Sequence, residues 1–195
     1  LTWMVYPLTD WPLIDPTSAE GLKAVFYQVF VGVLMGILLQ IVNAALIIGG
    51  QAVSASMGLS MANMVDPSMG NVPVIAQFFV ICSTLIFLGL GGHVLVISLL
   101  LESFELLPIN SALDLQGLLK LTIEWSAMMF VGAILIGLPL MASLLFINIG
   151  LGVITRTAPA LNIFAVGFPA MILAGIVLLS LSMTSIGYRI QWLWQ

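Results

Sequence analysis

From Ala24 to Val65 the chain carries no charged side chain. A helix crosses the hydrocarbon core of a bilayer in ~20 residues, so this run is about twice too long for one upright span and too apolar for a solvated surface. Two arrangements accommodate it: two spans that meet at Gly49-Gly50, or one long helix kinked there and sheltered by other protein. Either way Gly49-Gly50 is the expected bend, and Gly32 with Gly36 forms a GxxxG that permits close helix approach.

The run ends in MANMVDPSMGNVP, Met61 to Pro73. Pro67 has no N–H and disfavours the α region for Asp66, so the helix is expected to stop near Val65. Ser68, Met69, Gly70, Asn71, Val72 and Pro73 then continue as irregular backbone. Asp66 is the only formal charge between Lys23 and His93. Two readings stand here. One is a surface turn between two spans, and the other is a functional loop lining a pathway through the membrane. Met57, Met61, Met64 and Met69 surround the turn, and thioether side chains adapt to irregular neighbours.

Composition decides the class. Of the 195 residues 62% are apolar and 6% charged, against about half and a quarter in an ordinary soluble domain. An integral membrane protein built of helices is expected. The net charge of -4 is dispersed, which gives neither a basic patch for nucleic acid nor a polybasic membrane-surface tract. Cys82 alone excludes an intrachain disulfide, and its apolar context suits a small buried hydrophobe. With His93 it would supply too few ligands for a metal, so no metal and no cofactor are expected. The chain opens on Leu-Thr-Trp without a basic leader and closes on QWLWQ, so both ends are expected to be truncated.

In order, Leu1 to Pro16 holds three prolines with Trp3, Tyr6 and Trp11, which suits an interfacial loop. Thr17 or Ser18 can cap a helix with Glu20 in its first turn. Val74 to Leu90 reads as a helix ending in the glycines before His93, and another runs from near His93 to Phe104. His93 is either a proton-relay residue or a neutral imidazole bonded to backbone groups freed by the glycines. Glu102 to Lys120, with Glu105, Pro108, Asn110 and Asp114, reads as a solvated loop, and its carboxylates as wet surface rather than acid-base machinery. Ile123 to Thr155 should kink at Gly137-Leu-Pro139. A short turn from Thr155 to Pro159 would hold Arg156, and Leu161 to Tyr188 would return as a helix interrupted at Gly167-Phe-Pro169. The pattern is a helical hairpin with both arms broken. Phosphate loops, metal clusters and nucleophile-base arrangements are absent, so an enzyme is not expected. Lys23, Lys120, Arg156 and Arg189 are too few to fix orientation in the membrane. Broken helices at membrane depth need protein or water to satisfy their backbone, which points to a hetero-oligomer.

Three strings carry a resemblance: QAVSASMGLSMANMVDPSMGNVPV (Gln51 to Val74), GGHVLVISLLLESFELLPI (Gly91 to Ile109) and LGVITRTAPALNIFAVGFP (Leu151 to Pro169). Together with their spacing the chain resembles the FliR family, the R-type subunit of the flagellar type III protein export gate. The resemblance implies an all-α membrane-associated fold of hairpins with broken helices, set in a larger helical pore assembly. It implies a non-enzymatic pore component of the bacterial inner membrane and flagellar basal body that passes unfolded flagellar substrates. The chain would be present in one copy beside P-type and Q-type subunits and further export-apparatus membrane subunits. It further implies a P-type-like region over 1–115 and a Q-type-like hairpin over 116–195. By the same analogy Asp66, Pro67, Ser68, Met69, Gly70, Asn71, Val72 and Pro73 fall where the family has its plug loop, and Arg156, Pro159 and Asn162 fall at the turn of the Q-like hairpin, a partner contact. The rival classes are a secondary transporter, for which Asp66 and His93 are sparse chemistry, and a structural membrane scaffold, which gives no reason for the methionine-flanked loop.

Overall fold

The computed structural model describes residues 15, 17–59, 74–108, 114–157 and 166–194, and these form five helices: α1 (Ala19–Ser56), α2 (Val74–Gly89), α3 (Gly92–Leu106), α4 (Leu115–Thr157) and α5 (Phe168–Leu193). The beginnings of α1, α4 and α5 have local causes. The Ser18 hydroxyl oxygen accepts the Gly21 N–H at 3.0 Å, capping α1, and Glu20 in the first turn complements the helix dipole. Just upstream, the Thr17 hydroxyl and N–H donate to one Asp15 carboxylate oxygen at 2.7 and 3.0 Å, which holds the Asp15 carboxyl below its ordinary range. At α4 the Asp114 carboxylate accepts the Gly117 N–H at 3.0 Å. α5 starts with Pro169 in its first turn, where a missing N–H costs nothing.

Terminations are as explicit. After Ser56 the chain turns at Gly58, φ 79°, with the Gly58 N–H donating to the Ala55 C=O at 3.0 Å. Between α2 and α3 the turn rests on Gly91, φ 75°. Its N–H reaches the Leu88 C=O at 3.1 Å, and its own C=O accepts from Val94 at 2.8 Å and Leu95 at 3.2 Å. Both positions require the left-handed backbone that glycine adopts without penalty.

Several expectations are corrected. α1 runs as one helix through Gly49-Gly50 rather than as two spans that meet there, and those glycines lie close against Ala133 and Ala76. It stops at Ser56 rather than near Val65, since Gly58 offers an earlier turn. Glu102 and Glu105 belong to α3, and α4 begins at Leu115, so the expected solvated loop over Glu102 to Lys120 is mostly helix. Arg156 sits in the last turn of α4 rather than in a turn. Pro139 lies inside α4, which continues through it rather than breaking; Gly167-Phe-Pro169 lies at the start of α5, and residues 161–165 of the expected helix lie outside the described residues. The expected helix over Val74 to Leu90, the one from near His93 and the Ser18 cap all agree with the structure.

The chain divides into two compact units, one formed by the described residues of Leu1–Ile41 and Phe87–Ser126, the other by those of Val42–Ile86 and Ala127–Gln195. In the first unit the Lys120–Glu124 pair, 3.9 Å apart and exposed, contributes little to stability. The second unit holds the hydrophobic core: Leu46, Val53 and Met57 from α1, Phe79 from α2, Ile136, Leu140 and Leu144 from α4, and Met171, Ile186 and Ile190 from α5. The spacing of the α4 and α5 members places each set on one helix face. The opposite faces are apolar too; Phe146 and Leu181 are 76% and 77% exposed. Such helices are made for lipid or protein neighbours rather than water.

Small residues let the helices of the second unit approach closely. A Cβ at Gly50 would lie 2.4 Å from the Ala76 Cα, and one at Gly49 would lie 3.1 Å from the Ala133 carbonyl oxygen. A Cβ at Gly137 would stand 3.4 Å from the Gly49 carbonyl oxygen. Ala45 and Gly49 on α1 face Ala133 and Gly137 on α4, both pairs at the i,i+4 spacing that lets membrane helices meet backbone to backbone. By length and apolarity α1, α4 and α5 can each cross a membrane, and the bent pair α2 with α3 supplies a fourth candidate span.

Gly50→Ala is expected to destabilise the fold by about 1–3 kcal/mol, because the Ala76 backbone cannot rotate away as a side chain could. Gly32→Ala, where nothing lies within 4 Å, should be neutral or slightly stabilising. Thermal melting of both variants in detergent checks this, and equal effects would refute the seam.

Candidate functional site

The stretch singled out in the sequence, Asp66 to Pro73, lies within the α1–α2 connection and outside the described residues, as do Pro159 and Asn162. Its stem is described. Three contacts fix the two ends of the connection in the second unit. The first is the Gly50–Ala76 backbone approach, which joins α1 to α2. The second is Met57, 1% exposed, whose Cε and Sδ would stand 2.4 and 2.8 Å from a Cβ at Gly175, so its thioether lies directly on the α5 backbone. The third is the Phe168 ring, whose edge would be 3.4 Å from a Cβ at Gly58. Leu59 and Ile75, the described residues nearest the connection on either side, apart from Val74, pack against the core. Methionine fits the Gly175 contact because its unbranched chain follows a bare backbone groove. What the stem can do is mechanical: it holds the two ends of one connection in place.

Arg156 is exposed in the last turn of α4, where a cation complements the helix dipole. The flanking Thr155 and Thr157 hydroxyls turn back to donate to the Gly152 and Ile154 carbonyls at 3.1 and 2.9 Å. Among the described residues no carboxylate pairs with Arg156. His93 is exposed in the first turn of α3. Its ring makes no hydrogen bond to a described residue, so the backbone groups at the glycine junction are held by the Gly91 turn and not by imidazole. Glu102 and Glu105 are exposed. Cys82 is a half-buried free thiol packed against the core.

Two polar contacts escaped the sequence reading. Ser83, the buried polar residue of the described core, accepts a hydrogen bond from the Trp194 indole N–H at 2.8 Å, tying the residue after α5 to α2. Arg189 donates through Nη1 to the backbone carbonyl of Leu135, tying α5 to α4. The available signals were a serine in an apolar run and an arginine in an apolar helix, but their partners are 111 and 54 residues away. Between α1 and α4 an open cleft of about 500 Å³ is floored by Gly49, Ala52 and Ala133 and walled by Leu138, Met141 and Leu145.

A membrane protein of long apolar helices with a stem-held connection is the class these features define. The sequence pattern described as "Bacterial export proteins, family 1" matches residues 1–195, and the chain belongs to that family. It is 35% identical over 176 residues to the flagellar biosynthetic protein FliR of Pectobacterium carotovorum subsp. carotovorum, covering 90% of this chain and 66% of that protein. The FliR of Escherichia coli (strain K12) is 37% identical, with 89% and 66% covered, and that of Aquifex aeolicus (strain VF5) 32% identical, with 88% and 67% covered. The chain thus spans about two thirds of the length of the curated relatives it matches.

Met57→Ala is expected to cost about 2–5 kcal/mol by opening a cavity over Gly175, and Met57→Leu less than about 1.5 kcal/mol. Protease resistance against temperature reads both, and a tolerated alanine would show that Met57 does not hold the stem.

Proposed function

We propose that this chain is a pore-forming subunit of the flagellar type III protein export gate in the bacterial inner membrane, passing unfolded flagellar proteins without catalysing a reaction itself. The observation that carries the reading is the family match over residues 1–195, reinforced by relatives named for flagellar biosynthesis. The surface supports it: in the apolar windows of α1, α4 and α5 only 28%, 33% and 17% of residues are buried within the chain. Much apolar area, including the α1–α4 cleft, is left for lipid and neighbouring subunits. In this reading the neighbours are P-type and Q-type subunits, with residues 1–115 standing in for a P-type chain and 116–195 for a Q-type hairpin.

The connection holding Asp66 to Pro73 serves as the plug of the closed pore. A plug must exclude water and ions yet move aside for an unfolded chain, and a loop satisfies both because no helix ladder has to break. The stem supports this role, since ends anchored by Met57, Gly50 and Ala76 would let the loop move while its roots stay fixed. Deleting Met69 to Asn71 should leave the helices assembled, because closure entropy changes slowly with length. Cells making the complete gate with the shortened loop are then expected to leak ions while its subunits still co-purify. Normal assembly without added leakage would refute the plug.

Arg156 serves as a partner contact at the tip of α4, together with Pro159 and Asn162 a few residues on in the sequence. Its planar fork can hold a partner's carboxylate or helix-end carbonyls as a lysine cannot. Arg156→Lys and Arg156→Ala should both weaken co-purification of the partner subunits, and unchanged retention in both would reduce Arg156 to an interfacial anchor.

A further inference from the structure

Pro139 lies inside α4. Proline has no N–H, so the carbonyl four residues earlier, that of Leu135, loses its partner in the helix ladder. Leu135 is the residue whose carbonyl accepts the Arg189 guanidinium from α5. In a helix apolar enough to cross a membrane, a backbone carbonyl left unsatisfied by protein or water costs several kcal/mol. The arginine is equally misplaced by itself. It sits in α5, a second candidate span, where a cation without a partner is costly, and no carboxylate among the described residues pairs with it.

We infer that Pro139 and Arg189 are one coupled device, a pin that fixes α5 on α4 where the proline opens the α4 ladder. Each residue is a defect that the other answers: the proline exposes a carbonyl oxygen, and the guanidinium supplies the donor. The setting holds the pin in register. Ile136 and Leu140 on α4, and Ile186 and Ile190 on α5, flank the two partners in sequence and are all buried in the same core. The Ser143 hydroxyl donates to the Pro139 carbonyl at 2.9 Å, a back-bond of the kind that eases a helix through a bend. The α4 ladder is therefore open at one rung, and a side chain rather than a backbone N–H closes it. A bond of this kind can be broken and remade without unwinding α4, which an ordinary rung does not allow. The inference depends on the two helices alone and holds whatever passes through the assembly.

The test is a double-mutant cycle on the full-length chain in native membranes, read as the midpoint of thermal loss of the folded species after extraction in mild detergent. Arg189→Met keeps the apolar stem but removes the donors, and should lower the midpoint by several degrees; Arg189→Lys, still a donor, should recover part of that loss. Pro139→Ala restores the N–H that the Leu135 carbonyl lacks, so Arg189→Met in the Pro139→Ala background should cost much less than in the parent, or even restore stability. If Arg189→Met alone fails to accumulate, accumulation of the double variant supports the pin and its failure overturns it. An Arg189→Met cost that is absent, or as large with alanine at 139 as with proline, overturns it as well.

Discussion

The fold of the second unit depends on a contact between two backbones. At Gly50 and Ala76 the helices α1 and α2 come so near that a single Cβ would fall 2.4 Å from the facing Cα. In water, burying large side chains would do this work. In lipid the neighbours are as apolar as leucine, so association gains little from burial and depends on packing. Small residues bring main chains within dispersion range along their length, and Gly49 against Ala133 and Gly137 against Gly49 repeat the device on the α4 side. The larger core side chains, Phe79, Leu46 and Ile136 among them, fill the space this spacing leaves.

Polar groups within that apolar unit follow a second constraint, which is complete pairing. Among the described residues no buried side-chain nitrogen or oxygen lacks a partner. Ser83 is matched by Trp194, and hydroxyls along the helices, such as Thr84 to Val80 and Ser143 to Pro139, return to carbonyls of the preceding turn. The Leu135 carbonyl is the instructive case, because the residue that frees it and the residue that occupies it lie on different helices.

Much of this was legible in the residues and some was not, for identifiable reasons. The helical membrane class followed from apolarity, and the Ser18 cap and the break before His93 from local chemistry, since each depends on neighbours within a turn. The close approach at Gly49-Gly50 was not legible, because glycine permits both a bend and a close approach and the partners, Ala133 and Ala76, lie on other helices. Pro139 and Gly167-Phe-Pro169 were read as breaks by the same local logic. The first is tolerated inside α4, with Arg189 bonded to the freed carbonyl, while the second lies at the start of α5 and the residues upstream of it fall outside those described. Glu102 and Glu105 suggested a loop because charge correlates with solvent, yet an exposed helix end satisfies charge equally well. For the candidate site, Asp66 to Pro73 was read as a turn and lies outside the described residues, while its stem was not legible, because Met57 meets Gly175 across a separation no local pattern encodes.

The order in which these bonds can form is itself set by the chain. Gly50 and Ala76 are nearer in sequence than Leu135 and Arg189 or Ser83 and Trp194, so α1 and α2 can meet earlier. Arg189 and Trp194, at the far end of α5, are made after the Leu135 carbonyl and the Ser83 hydroxyl that they bond to. A ribosome that has finished α4 has already produced the Leu135 carbonyl and Ser83, and both must wait through the synthesis of α5 for their partners. During that interval the nascent chain holds two polar groups in an apolar setting. Whatever shelters growing membrane helices must cover them until the arginine and the tryptophan arrive.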